Sequence, residues 1–220
     1  IIGYERQKKA LKENTEAFLA GRPANNVLLI GPRGTGKSST VKALINAYAH
    51  RGLRLVEVAK GDFLGLQTVT DLLGSRGDRY IVFLDDLSFE DPDGDFKHLK
   101  TVIDGSLQTR PANVLIYATS NRRHLVKETW QDRPGDDELH RLDTLNEKIA
   151  LADRFGLTIT FPSPDQQEYL TIVHKLAQKH KIALDEEQLN REALQWEFSH
   201  SGRSGRVARQ FIQHLLGKIV

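Results

Sequence analysis

Apolar residues along this chain follow two rhythms. Five short continuous runs, Val27–Ile30, Leu53–Val58, Tyr80–Leu84, Val114–Thr119 and Leu157–Phe161, predict buried strands. Between them the spacing becomes helical. Glu5 to Leu19 predicts a helix ahead of the first strand. Val41, Leu44, Ile45 and Tyr48 predict one that ends near Gly52. Phe63 to Leu73 predicts the next, and Phe96, Leu99, Val102, Ile103 and Leu107 another. Strands that alternate with helices argue for a parallel sheet covered on both faces, an α/β sandwich of three layers.

Past Phe161 the strand signal stops. Ser163-Pro164-Asp165-Gln166 predicts a helix start, with serine as cap, proline in the first turn and glutamine three residues on. Tyr169, Leu170, Ile172, Val173 and Leu176 then keep helical spacing, and further helices are predicted from about Asp185 to Phe198 and Ser204 to Leu216. The expected organisation is an α/β core over 1–162 and a small all-helical subdomain over 163–220. The charged segment 126–146, with Pro134-Gly135, reads as a long excursion.

Composition narrows this picture without redirecting it. The chain's 220 residues are enough for a sizeable core. Its 31 basic and 29 acidic residues leave a formal +2, which gives no global argument for nucleic acid or membrane binding. No cysteine is present, so disulfides, thiolate chemistry and cysteine-based zinc sites are excluded. No apolar run approaches membrane-spanning length and nothing resembles a signal peptide, so a cytoplasmic protein is expected. Methionine is absent, which reads as a fragment whose N-terminal part is missing.

Candidate chemistry concentrates after the first and third strands. Gly31-Pro32-Arg33-Gly34-Thr35-Gly36-Lys37-Ser38 fits the phosphate-cradling pattern G-x-x-x-x-G-K-[ST] between a strand and a helix, the context that the motif requires. Its glycines allow a tight turn, and the helix opening aims unpaired N–H groups at an anion. Lys37 is expected to reach the β- and γ-phosphates, and the Ser38 hydroxyl to ligate Mg²⁺. Tyr80-Ile81-Val82-Phe83-Leu84-Asp85-Asp86 is a hydrophobic strand that ends in two carboxylates. Asp85 is placed to hold Mg²⁺, and Asp86 to orient and deprotonate an attacking water.

Other features carry less. Asp91-Pro92-Asp93-Gly94-Asp95 has the opening letters of a calcium loop, but its glycine is misplaced and position twelve is Val102, so a turn is expected. The eight histidines form no H-E-x-x-H. Core packing is the expected role of Phe63, and Arg122 with Arg123 are too few to claim a nucleic-acid surface.

With both nucleotide motifs in place, the chain resembles the AAA+ ATPases. Ile2-Gly3-Tyr4-Glu5-Arg6-Gln7 is similar to the segment that packs on adenine at the start of that module. Leu115-Ile116-Tyr117-Ala118-Thr119-Ser120-Asn121 resembles the sensor 1 strand, which implies that Asn121 positions the lytic water. Ala152-Asp153-Arg154-Phe155-Gly156 resembles the arginine-finger segment, most closely that of the bacterial branch-migration motor. Gly202-Arg203-Ser204-Gly205-Arg206 resembles sensor 2, with Arg206 facing the phosphates from a lid helix. Within that superfamily, Leu84-Asp85-Asp86-Leu87-Ser88-Phe89-Glu90 and Ala118-Thr119-Ser120-Asn121-Arg122-Arg123-His124-Leu125 are similar to a family of uncharacterised prokaryotic AAA+ ATP-binding proteins.

The resemblance implies a P-loop NTPase sandwich with strand order 5-1-4-3-2, a helical lid, and ATP or ADP with Mg²⁺ as ligands. It implies a nucleotide site made of Ile2, Gly3, Tyr4, the P-loop residues Gly31 to Ser38 with Ser39, and Arg206, and a metal site of Ser38 and Asp85. Catalysis would rest on Lys37, Asp86, Asn121, Arg206 and, from a neighbouring copy in a homo-oligomer, Arg154. Most AAA+ members carry glutamate where Asp86 stands, so slow turnover is expected. Three readings stay open: an ATPase that remodels a protein or nucleic-acid partner, an ATP-gated switch, loader or adaptor, and a peptide-threading translocase.

Overall fold

A computed structural model describes residues 1–59, 62–87, 103, 111–121, 154–200 and 202–218. The elements run α1 (Glu5–Leu19), β1 (Val27–Ile30), α2 (Lys37–Tyr48), β2 (Leu53–Val58), α3 (Leu66–Gly74), β3 (Arg79–Leu84), β4 (Val114–Ser120), β5 (Leu157–Thr160), α4 (Gln166–Lys179), α5 (Glu186–Phe198) and α6 (Gly205–Lys218). Single 3-10 turns follow α2 and precede α3, so the helix expected from Phe63 becomes regular only at Leu66. The excursion 126–146, the acidic turn at 91–95, Arg122 and Arg123 lie outside the described residues, as does the helix expected around Phe96 to Leu107 apart from Ile103.

All strand pairs are parallel, in the order β2-β3-β4-β1-β5. That is the expected order 5-1-4-3-2 viewed from the other edge. β4 is buried at every position, which is why it reads as an unbroken apolar run. Alternate residues feed opposite faces. Leu28, Val82, Leu84, Ile116 and Ala118 pack with Phe63, Leu66 and Leu73 beneath α3. Val27, Leu29, Ile81, Phe83, Leu115 and Tyr117 pack with Leu11, Phe18, Val41 and Leu44 beneath α1 and α2. The strand period of two therefore builds both outer layers.

α1 is anchored by a buried polar knot as well as by its apolar stripe. Thr15 Oγ1 donates to Leu11 O at 2.8 Å, so the Tyr117 hydroxyl, 2.9 Å away, donates to Thr15. Asn14 Nδ2 donates to the same tyrosine oxygen at 3.0 Å.

The three C-terminal helices bury a cluster of their own around Tyr169, Val173, Ala193, Val207 and Phe211, with Ile2 packed against it. The expected cap at Ser163 is corrected. Asp165 caps α4, accepting from Glu168 N at 2.8 Å while Glu168 Oε2 accepts from Asp165 N at 2.9 Å. Asp165 stands directly before α4, where its side chain and that of Glu168 close a reciprocal pair. Phe63 is 6 % exposed and belongs to the core, as expected.

Candidate functional site

The site lies at the C-terminal edge of the sheet, where β1, β3 and β4 end side by side. The chain leaves β1 at Gly31 (φ 147°), turns at Gly34 (φ 79°) and enters α2 from Gly36 (φ 96°). A side chain at Gly31 would meet the Phe161 carbonyl oxygen at 2.0 Å, so β1 and the segment after β5 approach there backbone to backbone. Among the described residues no side chain caps the first turn of α2, whose N–H groups point toward the loop.

Lys37 opens α2 and is only 4 % exposed. Its Nζ donates to Gly31 O at 2.7 Å, Pro32 O at 2.8 Å and Asn121 Oδ1 at 2.9 Å, which uses all three ammonium protons. Burial pushes this ammonium down to about 8, against the upward pull of Asp86 and Asp85, while Arg206 and Arg33 deepen the depression. Thr35 Oγ1 donates to Pro32 O at 2.9 Å and stiffens the loop. Ser39, one step beyond, is exposed.

The acidic pair closes the opposite wall. Ser38 Oγ and Thr119 Oγ1 both donate to Asp85 Oδ1 at 2.6 Å. A hydroxyl facing a carboxylate at that range is a set of hard oxygens of the kind that Mg²⁺ takes, so these two residues fit the metal. Asp86 has left-handed backbone (φ 56°) and its carboxylate accepts from Asn121 Nδ2. Arg33 lies 4.0 Å from the other Asp86 oxygen. Lys37, Ser38, Asp85, Asp86 and Asn121, drawn from three separate stretches of sequence, thus form one connected network. Sequence reasoning missed Thr119, which looked like the last residue of an apolar strand.

The remaining candidates sit around this network. Ile2 packs against the helical cluster, and Ile1 lies 3.5 Å from where a Gly36 side chain would begin. Tyr4 precedes α1, holds its ring tilted against Phe161 with centroids 5.0 Å apart and donates through its hydroxyl to Pro162 O at 2.8 Å. Arg206 is exposed in the first turn of α6, and its N–H donates to Gly34 O at 3.3 Å. Ser204 accepts from Val207 N at 3.2 Å, and its Oγ would lie 2.8 Å from a Gly34 side chain. The P-loop tip and the start of α6 therefore touch. Arg154 stands apart. It precedes β5, whose Leu157 pairs with Val27 at the start of β1, so its backbone lies at the edge of the sheet opposite the P-loop.

A family model described as "Protein of unknown function (DUF815)" matches residues 1–219. The chain belongs to the DUF815 family. Among curated proteins it is 30 % identical over 173 residues to the replication factor C large subunit of Pyrococcus abyssi, covering 72 % of this chain and 34 % of that protein. It is 24 % identical over 198 residues to the Holliday junction branch migration complex subunit RuvB of Mycoplasmopsis pulmonis, covering 88 % and 58 %. This DUF815 chain thus spans about a third of the first relative and under two thirds of the second. The structure of the Thermotoga maritima RuvB branch migration motor matches with a TM-score of 0.60 at 17 % identity, covering 96 % of this chain and 61 % of that one. The fold of this DUF815 member is the AAA+ fold, and the chain is related to the branch-migration motor. Among the described residues, no helix is long and apolar enough to cross a membrane.

Proposed function

We propose that this DUF815 protein binds Mg·ATP between the P-loop and the start of α6, hydrolyses it, and couples the cycle to remodelling of a macromolecular partner. The observation that carries this reading is the network in which Lys37 and Asn121 join the P-loop to Asp86 while Ser38 joins it to Asp85. Gly34, Gly36 and the first turn of α2 present N–H groups to the phosphates. Lys37 exchanges its carbonyl partners for phosphate oxygens. Ser38 and Asp85 hold Mg²⁺, which offsets phosphate charge. Asp86 takes the proton of the attacking water, with Asn121 orienting both. Arg206 reaches the phosphates from α6, and Ile2, Gly3 and Tyr4 border the base. Arg154, at the far edge of its own sheet, completes the site of a neighbouring copy.

A second reading, the ATP-gated switch, draws support from one feature. The Asp86 carboxylate is engaged by Asn121 and faced by Arg33. Turnover must release it, which favours a slow enzyme.

Phosphate release measured across protein concentration tests the proposal. The parent should show specific activity that rises with concentration. Asp86→Asn should lose about 100-fold in kcat while still binding ATP. Arg154→Ala should lose the concentration dependence. Activity equal to the parent in Asp86→Asn would sink the catalytic assignment.

The buried lysine adds a pH signature. Burial holds its ammonium down at about 8, and a bound triphosphate favours the charged form. Above pH 8, binding must therefore take up a proton, so ATP affinity should fall as pH rises through that value. Calorimetry at pH 9 in two buffers of different ionisation enthalpy should reveal the uptake, and identical heats would contradict it.

A further inference from the structure

After Leu84 the chain leaves β3 and passes through two acidic residues whose roles demand different orientations. Asp85 must face the P-loop, whereas Asp86 must face the space in front of Asn121. The backbone achieves this by turning left-handed at Asp86, a conformation that aspartate enters more readily than most L residues. Something has to hold it there. The partner is Thr119, which lies one step beyond the β3–β4 pair Leu84↔Ala118 and is 2 % exposed.

A threonine hydroxyl has one proton and two lone pairs. Thr119 uses its proton on Asp85 Oδ1 at 2.6 Å and accepts the Asp86 N–H at 2.9 Å. Its main-chain carbonyl accepts the next N–H, from Leu87, at 2.8 Å. One residue therefore fixes the carboxylate of the first aspartate and the backbone of the second. The β-branched side chain is itself stiff at χ1, which makes it a firm post. Leu115 and Tyr117 precede it on the same face of β4 and pack in the core under α1 and α2, so Thr119 stands where that apolar row reaches Ser38 and the P-loop.

From this geometry we infer that Thr119 is a positioning residue that sets the metal-holding and water-activating carboxylates in register with each other. The inference rests on the nucleotide reading above. Were Ser38 to ligate a metal ion instead of donating to Asp85, Thr119 would remain as the partner of the same oxygen. It does not touch substrate. It acts through Asp85 and Asp86.

The test compares Thr119→Val, which keeps the shape and removes the hydroxyl, with Thr119→Ser, which keeps the hydroxyl. Binding of a fluorescent ATP analogue is measured with Mg²⁺ and with chelator, alongside phosphate release. Thr119→Val should bind the analogue like the parent in chelator, need about tenfold more Mg²⁺ for the metal-dependent increase, and lose at least about tenfold in kcat at near-constant KM. Thr119→Ser should recover most of both. If Thr119→Val does not fold, Thr119→Cys, a weak donor, replaces it in the comparison with serine. Thr119→Val matching the parent in Mg²⁺ dependence and kcat overturns the inference, as does Thr119→Ser falling as far as valine. A parent that fails to bind the analogue at all overturns the nucleotide reading and this inference together. A parent that binds it while the valine variant is indistinguishable overturns this inference alone.

Discussion

Replacing Lys37 by alanine is expected to weaken ATP binding on the order of 100-fold while leaving the fold intact. The ammonium is buried and gives its three protons to Gly31 O, Pro32 O and Asn121 Oδ1. None of these acceptors carries a full charge, and burial holds the group down at about 8. The folded protein thus keeps a desolvated cation at this position, with Asp86 and Asp85 only partly offsetting the effect of burial. Truncation removes the main positive partner of the triphosphate, for a loss of about 3 kcal/mol or more, on the order of 100-fold in affinity. It also removes a desolvated charge, so the denaturation midpoint should stay close to the parent's. Calorimetry and urea unfolding on one preparation read both quantities. ATP heats equal to the parent's would refute the assigned role. A large drop in the midpoint would instead mark Lys37 as a structural brace between the P-loop and β4.

The same residues show how far the sequence could be read. Val27–Ile30 and Val114–Ser120 are legible because buried parallel strands have no polar face to break the run. Lys37, Ser38, Asp85 and Asp86 are legible because phosphate and metal chemistry fix residue types at short spacing. Thr119 was hidden for the opposite reason. Threonine is an ordinary strand former, and its contact with both aspartates exists only through the register that places Ala118 beside Leu84. The close approach of Arg33 to Asp86 was hidden likewise, since it joins loops far apart in sequence. At the start of α4 the sequence points to Ser163 as cap, and the reciprocal hydrogen bonds of Asp165 and Glu168 place the cap two residues later. The strand order came from family resemblance, because apolar periodicity identifies strands without ordering them.

Gly31→Ala should have the largest effect on stability of any single methyl added to this chain's P-loop. Gly31 sits at φ 147°, where an L residue is strained by about 1–3 kcal/mol before any contact is counted. The added Cβ would also fall 2.0 Å from the Phe161 carbonyl oxygen and 2.9 Å from its carbon. Those are backbone atoms that cannot rotate away. Phe161 N donates to Ile30 O at 2.7 Å and Gly31 N donates to Ser120 O at 3.2 Å, so any retreat pulls apart β1 and its neighbours on both sides. Strain and displaced pairing together should cost about 4 kcal/mol or more, a large share of the stability of a domain this size. The site would suffer with the fold, because Gly31 O is one of the three acceptors of Lys37. Gly77→Ala is the control: that glycine has no positive φ and, among the described residues, nothing within 4 Å of the added atom, so it should shift stability by less than about 0.5 kcal/mol. Urea unfolding of the two variants separates a general intolerance of mutation from the specific clash. Equal midpoints for Gly31→Ala and the parent would mean that the P-loop and the end of β5 do not meet as closely as the sheet places them.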